Sequence, residues 1–83
     1  MEVTITPEAA KEFDRLPPTI QRRMIAIFGR LRSFPAVSGV KPLRGSLAGQ
    51  YRMRTGDYRL QFRVDDKRII VEKIGHRDGF YED

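Results

Sequence analysis

Gly49–Arg63, GQYRMRTGDYRLQFR, is the stretch whose reading decides the fold. Arg52, Arg54, Arg59 and Arg63 fall on alternate positions of two extended segments joined by Thr55-Gly56-Asp57. A strand sends successive side chains to opposite faces, so these cations share one face. Tyr51 and Met53, with Tyr58, Leu60, Phe62 and Val64, point the other way and supply a buried side. Gly-Asp at the reversal is a weaker turn signal than Asp-Gly, yet it punctuates a hairpin. The stretch predicts a hairpin with one apolar and one basic face, which the rest of the chain holds still.

Upstream, Glu2–Ile5 alternates and reads as a short first strand. Thr6 is an expected N-cap with Pro7 at the first helical position, and Ala9, Ala10, Phe13 and Leu16 carry a helical spacing over Pro7–Leu16. Pro17-Pro18 stops that helix and opens the next. Over Thr19–Phe34, Ile20, Met24, Ile27, Phe28, Leu31 and Phe34 form one apolar stripe, the mark of an amphipathic helix. Gly29 inside it is expected to permit close approach to a strand. The arginines of this helix read first as a solvated face, with Arg22 and Arg23 as candidates for meeting an acidic partner. Pro35–Gly49 is loop, anchored by Val40, Leu43 and Leu47. Downstream of the hairpin, Asp65-Asp66-Lys67 is a second reversal, and Arg68–Ile74 is an apolar run suited to a central strand, ended by Gly75. The tail from His76 is expected to fold back on the sheet. The order β-α-α-β-β-β predicts an α+β domain, two N-terminal helices packed on a twisted, mainly antiparallel four-stranded sheet.

Eighty-three residues form a single domain spanning 1–83, burying only about 60 to 65% of the surface of the unfolded chain. With no cysteine and one histidine, a disulfide framework and thiolate metal sites are excluded, and no cofactor or metal is expected. No apolar run is long enough to span a bilayer, so the expected location is the cytoplasm, with no membrane partner. The net charge is +5, and from Lys41 to Arg63 six basic residues face one acidic residue, Asp57. A local excess of this kind suits a polyanion.

The order of elements resembles the RelE/ParE toxin superfamily of bacterial type II toxin-antitoxin systems. So do Leu43-Arg44-Gly45, Tyr51-Arg52-Met53-Arg54, Gly56-Asp57-Tyr58-Arg59-Leu60, and the closing Gly75-His76-Arg77 followed by Tyr81. The resemblance covers essentially the whole chain. It implies a microbial ribonuclease-like fold and a cognate antitoxin that wraps and inhibits the toxin in a toxin-antitoxin hetero-oligomer. RelE-like members cut mRNA in the ribosomal A site and so inhibit translation, whereas ParE-like members poison DNA gyrase. The functional residues of the ribonuclease branch carry over to Arg52, Arg54, Arg59, Arg77 and Tyr81. Arg77 with Tyr81 favours that branch, an mRNA interferase. The alternatives are a gyrase inhibitor or a non-catalytic toxin fold that only binds its antitoxin. Two departures stand out: arginines occupy positions that RelE-like proteins usually fill with lysine, and Arg77 and Tyr81 are more closely spaced.

The implied reaction is attack of an RNA 2′-hydroxyl on the adjacent phosphate, without a metal. Arginine matches phosphate oxygens with a fixed fork of donors but does not accept a proton. Arg54, Arg59 and Arg77 are therefore the expected clamp, with Arg52 beside it and Lys41, Arg44 and Arg63 as further phosphate-binding residues. Tyr81 is a candidate donor to the leaving oxygen or a stacking surface. His76 is the best intrinsic acid or base by residue type. His76 and Arg77 are adjacent, so both enter one site only if the strand has ended at Gly75.

Overall fold

Through residues 1–78, which the computed structural model describes, the chain runs β1 (Glu2–Ile5), α1 (Pro7–Asp14), α2 (Pro18–Leu31), β2 (Lys41–Pro42), a 3-10 turn (Gly45–Leu47), β3 (Gln50–Thr55), β4 (Tyr58–Asp65) and β5 (Arg68–His76). Thr6 makes the first corner. Its backbone is extended, and its Oγ1 accepts the Ala9 N–H at 3.1 Å, satisfying one of the donors a helix start leaves open. Pro17 ends the α1–α2 link, and α2 has no side-chain cap. Gln21 instead ties the two helices together, its Nε2 donating to Phe13 O at 3.1 Å.

The sheet has the order β1-β5-β4-β3-β2, antiparallel except for the parallel pair β1–β5. The class is α+β as expected, but the sheet has five strands among the described residues rather than four. The additional strand is only Lys41–Pro42, paired through Lys41↔Arg52 and Pro42↔Tyr51, too short to show any alternation in the sequence. The apolar run of β5 does mark an interior strand, flanked by β1 and β4.

Both helices cover one face of the sheet. Ala9, Leu16, Met24, Ile27 and Leu31 meet Met53, Leu60, Phe62, Ile69, Val71 and Ile74 in one buried cluster. Each such side chain contributes about 1.5–3 kcal/mol from burial before chain entropy is subtracted. Phe34, Tyr51 and Phe62 form an aromatic knot: Tyr51 stacks on Phe62 at 5.4 Å, and Phe34 meets both edge-on. Gly29 departs from expectation. It is exposed, and nothing lies within 4 Å of the position its Cβ would occupy, so it permits no close approach within this fold.

A register shift in β4–β5 sets what reaches the other face. Phe62 pairs with Val71 but Gln61 pairs with Lys73, leaving Glu72 as an extra residue. The bulge changes the parity of β5, so Ile69 and Val71 before it and Ile74 after it all turn to the core. Beyond the stretch where β1 pairs with it, β5 is supported by α1, whose Glu12 Oε1 accepts the Ile74 N–H at 2.9 Å. Strand β5 also runs past Gly75 to His76, one residue further than the glycine suggests.

Candidate nucleic-acid interface

The sheet face away from the helices gathers the basic residues in rows. On β3, Met53 is buried against the helices, so Arg52 and Arg54 point outward; on β4, Leu60 and Phe62 are buried, so Arg59, Gln61 and Arg63 do the same. Register then joins them. Lys41 lies opposite Arg52, Arg52 opposite Gln61, and Gln61 opposite Lys73, one row across four strands. The next row towards the β3–β4 turn is Arg54 opposite Arg59, with Arg59 opposite Gly75. Gln61 is the one buried polar side chain of the rows, and its Nε2 donates to Gln50 Oε1.

Like charges directly opposite each other across two strands destabilise a sheet, on the scale of about 0.2–1 kcal/mol per cross-strand pair. Lys41–Arg52 and Arg54–Arg59 are two such pairs in neighbouring rows. A surface built for solubility would alternate signs there, whereas a surface that receives an anion gains from keeping both cations. Pairing between β2 and β3 stops at Lys41, and an open groove of about 480 Å³ follows, lined by Gly39, Val40, Lys41, Arg52, Met53 and Arg54.

The turn beside the Arg54–Arg59 row suits its sequence better than the residue order suggests. Gly56 has φ +59° while Asp57 has no positive φ, the pattern of a type II′ hairpin turn, which places glycine first. The backbone N–H of Arg77 donates to Asp57 O at 2.7 Å, and its Nη1 lies 3.8 Å from Asp57 Oδ1, so Arg77 joins the same end of the face. Arg52, Arg54, Arg59, Lys41 and Arg77 thus lie in adjoining rows at one end of the face.

Four expected site residues are not part of that group. Arg63 is on the same face but at the far end, where its Nε lies 3.3 Å from Glu72 Oε2 and its Nη1 3.5 Å from Asp65 Oδ2; its charge is already matched. Arg44 follows β2 at the Gln50 end of β3, since Leu43 N donates to Gln50 O at 2.9 Å. His76 lies opposite Tyr58 and meets it edge-on at 5.1 Å, on the helix side of the sheet, because β5 is still a strand at that residue. Its Nδ1 is engaged by Asp78, whose backbone N–H lies at 3.1 Å and whose Oδ2 lies at 3.4 Å. Tyr81 lies outside the described residues. Sequence reasoning also missed a neighbour of the turn. Arg23 of α2 reaches it from the helix layer, with Nη1 3.7 Å from where a Cβ on Gly56 would sit. The available signal was its place on the flank of the apolar stripe, next to Met24, from which a long side chain can reach past the edge of its layer.

The family model described as the ParE toxin of type II toxin-antitoxin systems matches residues 3–79. The chain belongs to the RelE/ParE toxin superfamily. Among curated relatives, toxin RelG of Mycobacterium tuberculosis is 37% identical over 82 residues, covering 95% of this chain and 93% of the relative. Toxin RelE of the same organism is 38% identical over 82 residues, covering 95% of this chain and 84% of the relative. Among solved structures, the M. tuberculosis toxin–antitoxin complex RelBE2 matches with a TM-score of 0.79 and 32% identity, covering 92% of this chain and 96% of that one. The RelE–RelB complex of Methanococcus jannaschii has a TM-score of 0.80 at 23% identity, covering 94% of each chain, a likeness that speaks for the fold. The protein is a RelE-like toxin of a type II toxin-antitoxin system, and its hairpin turns the basic face away from the helices. Among the described residues no helix is long and apolar enough to cross a membrane.

Proposed function

We propose that this RelE/ParE-superfamily toxin is a ribosome-dependent mRNA endoribonuclease, an mRNA interferase that inhibits translation. The observation that carries the reading is Arg54 set directly opposite Arg59 on the face away from the helices, with Arg77 held at the adjacent turn. In the proposed reaction the RNA 2′-oxygen forms a bond to the neighbouring phosphorus and the bond to the 5′-oxygen breaks. The products are a 2′,3′-cyclic phosphate and a 5′-hydroxyl. Arg54 and Arg59 hold the phosphate oxygens and meet the charge that builds on them; Arg77 and Arg52 flank that phosphate. The groove beside Arg54, apolar at Val40 and Met53, takes the neighbouring base.

Guanidinium groups do not accept the 2′-hydroxyl proton. His76 sits across the sheet, so the proton leaves to a group outside these rows, and Tyr81 delivers one to the 5′-oxygen. A site strong in charge stabilisation and poor in bases relies on its substrate being oriented for it, which accounts for a dependence on the ribosome. The partners in this reading are the ribosome with its mRNA and a cognate antitoxin, as in the RelBE2 complex of M. tuberculosis.

The test is to add the purified toxin to translating ribosomes and map new 5′ ends. Cleavage in the A site is expected, with Arg59→Ala slower by about 10²–10³, the scale for removing one donor to a developing oxyanion. Wild-type protein that leaves mRNA intact overturns the reading. The ParE description of the matching family model favours one second reading, inhibition of DNA gyrase. Loss of supercoiling activity with intact mRNA is its signature.

A further inference from the structure

Arg23 stands out among the arginines of α2. Arg22 donates to Thr19 Oγ1 and Arg30 to Ser38 O, both within the helical layer and the loop after it. The Arg23 side chain instead reaches the β3–β4 turn, its Nη1 3.7 Å from where a Cβ on Gly56 would sit. Arg77 approaches the same turn through Asp57. The hairpin tip is therefore straddled by two arginines, one from α2 and one from the end of β5. They differ in one respect. Arg77 has Asp57 and Asp78 at 3.8 Å, whereas no ion pair engages Arg23 among the described residues.

Position gives this contact a meaning. Successive rows on one face of a strand are two residues apart, about 6.8 Å. The Lys41–Arg52 row, the Arg54–Arg59 row and the turn follow one another at that interval, a spacing comparable to that of phosphates along an extended single strand. A strand lying on the first two rows meets the turn next, and there the only cation without a carboxylate partner among the described residues is Arg23.

We propose that Arg23 binds the phosphate following the one held by Arg54 and Arg59, so that single-stranded RNA bends around the β3–β4 turn towards the helix layer. The inference rests on reading the open face as an RNA surface. It assigns Arg23 to backbone binding, sequence-independent and electrostatic, and outside the reacting phosphate.

The test uses fluorescein-labelled 2′-O-methyl oligoribonucleotides, which lack the attacking hydroxyl, and anisotropy titrations over a range of salt concentrations. On single strands each lost phosphate contact lowers the slope of log K against log salt by about 0.7. Arg23→Ala and Arg23→Gln are each expected to lose about that much slope on an oligonucleotide long enough to reach the turn, and nothing on a dinucleotide. Arg23→Lys keeps it, and Arg32→Ala, at the far end of α2, matches wild type. If Arg54→Ala loses slope while Arg23→Ala and Arg23→Gln do not, the role of Arg23 is overturned and the RNA surface stands. If Arg23→Ala loses affinity but Arg23→Gln does not, the side chain acts by packing on the turn, which also overturns it. If Arg54→Ala and Arg59→Ala are unchanged as well, the RNA surface falls and Arg23 with it.

Discussion

Replacing Arg54 with glutamine should make the protein more stable, and replacing Arg63 with glutamine should make it less so. Both arginines sit on the same sheet face, on neighbouring strands of one hairpin, and differ in what surrounds them. Arg54 lies directly opposite Arg59, so removing its charge relieves a like-charge pair at a cross-strand position, about 0.2–1 kcal/mol. Arg63 has Glu72 at 3.3 Å and Asp65 at 3.5 Å, on side chains 33% and 64% exposed, so its loss costs about 0.2–1 kcal/mol after screening by solvent. In a domain of this size 1 kcal/mol moves the melting temperature by about 4–8 °C, so shifts of about 1–8 °C are expected, upward for Arg54→Gln and downward for Arg63→Gln. Thermal unfolding followed by circular dichroism at low salt measures both. Near 1 M salt, where the Debye length falls to about 3 Å, both shifts should shrink. A melting temperature that falls in Arg54→Gln, or a gain that persists at high salt, refutes the claim that Arg54 and Arg59 repel each other across the strand pair. Should the shifts appear as expected, the wild-type protein tolerates a local instability at the position proposed to hold the phosphate.

Thr6→Ala removes the side-chain acceptor at the start of α1 and should cost about 1 kcal/mol, read as a melting temperature lower by about 4–8 °C with the basic face unaltered. Gly56→Ala places a Cβ where φ is +59°, which should destabilise the hairpin by about 1 kcal/mol or more in chemical denaturation. An unchanged midpoint would mean that the turn is not held in the left-handed region.

The hairpin and both helices were legible because each carries a periodic signal: period two in Tyr51–Val64, and a helical stripe through Met24, Ile27 and Leu31. The pairing of β1 with β5 was not, since nothing in four residues of alternating sequence names a partner strand. Lys41–Pro42 escaped notice because two residues have no period. Within the site, alternation placed Arg52, Arg54, Arg59 and Arg63 on one face, but alternation knows nothing of ion pairs. Arg63 was separated from the rest by Glu72, the residue at the β5 bulge, which follows buried Val71 and so shares the outer face with Arg63. The same bulge decides that His76 faces Tyr58, a parity that the chain order alone does not give. Arg23 was hidden because its contact is between layers.

The parallel pairing of the first strand with the last has a consequence in time. Thr4 Oγ1 donates to Ile69 O across 65 positions of sequence, and among the described residues β1 has no other strand beside it. Contacts of such separation form late, after the intervening chain has been made and closed into a loop. While the protein is being synthesised, its first strand waits at the edge of a sheet that does not yet exist, and the hairpin lacks its β5 flank. The toxin thus completes its fold only when β5 has emerged from the ribosome that made it. That gives the nascent chain an interval in which its basic strands are present without the frame that aligns them.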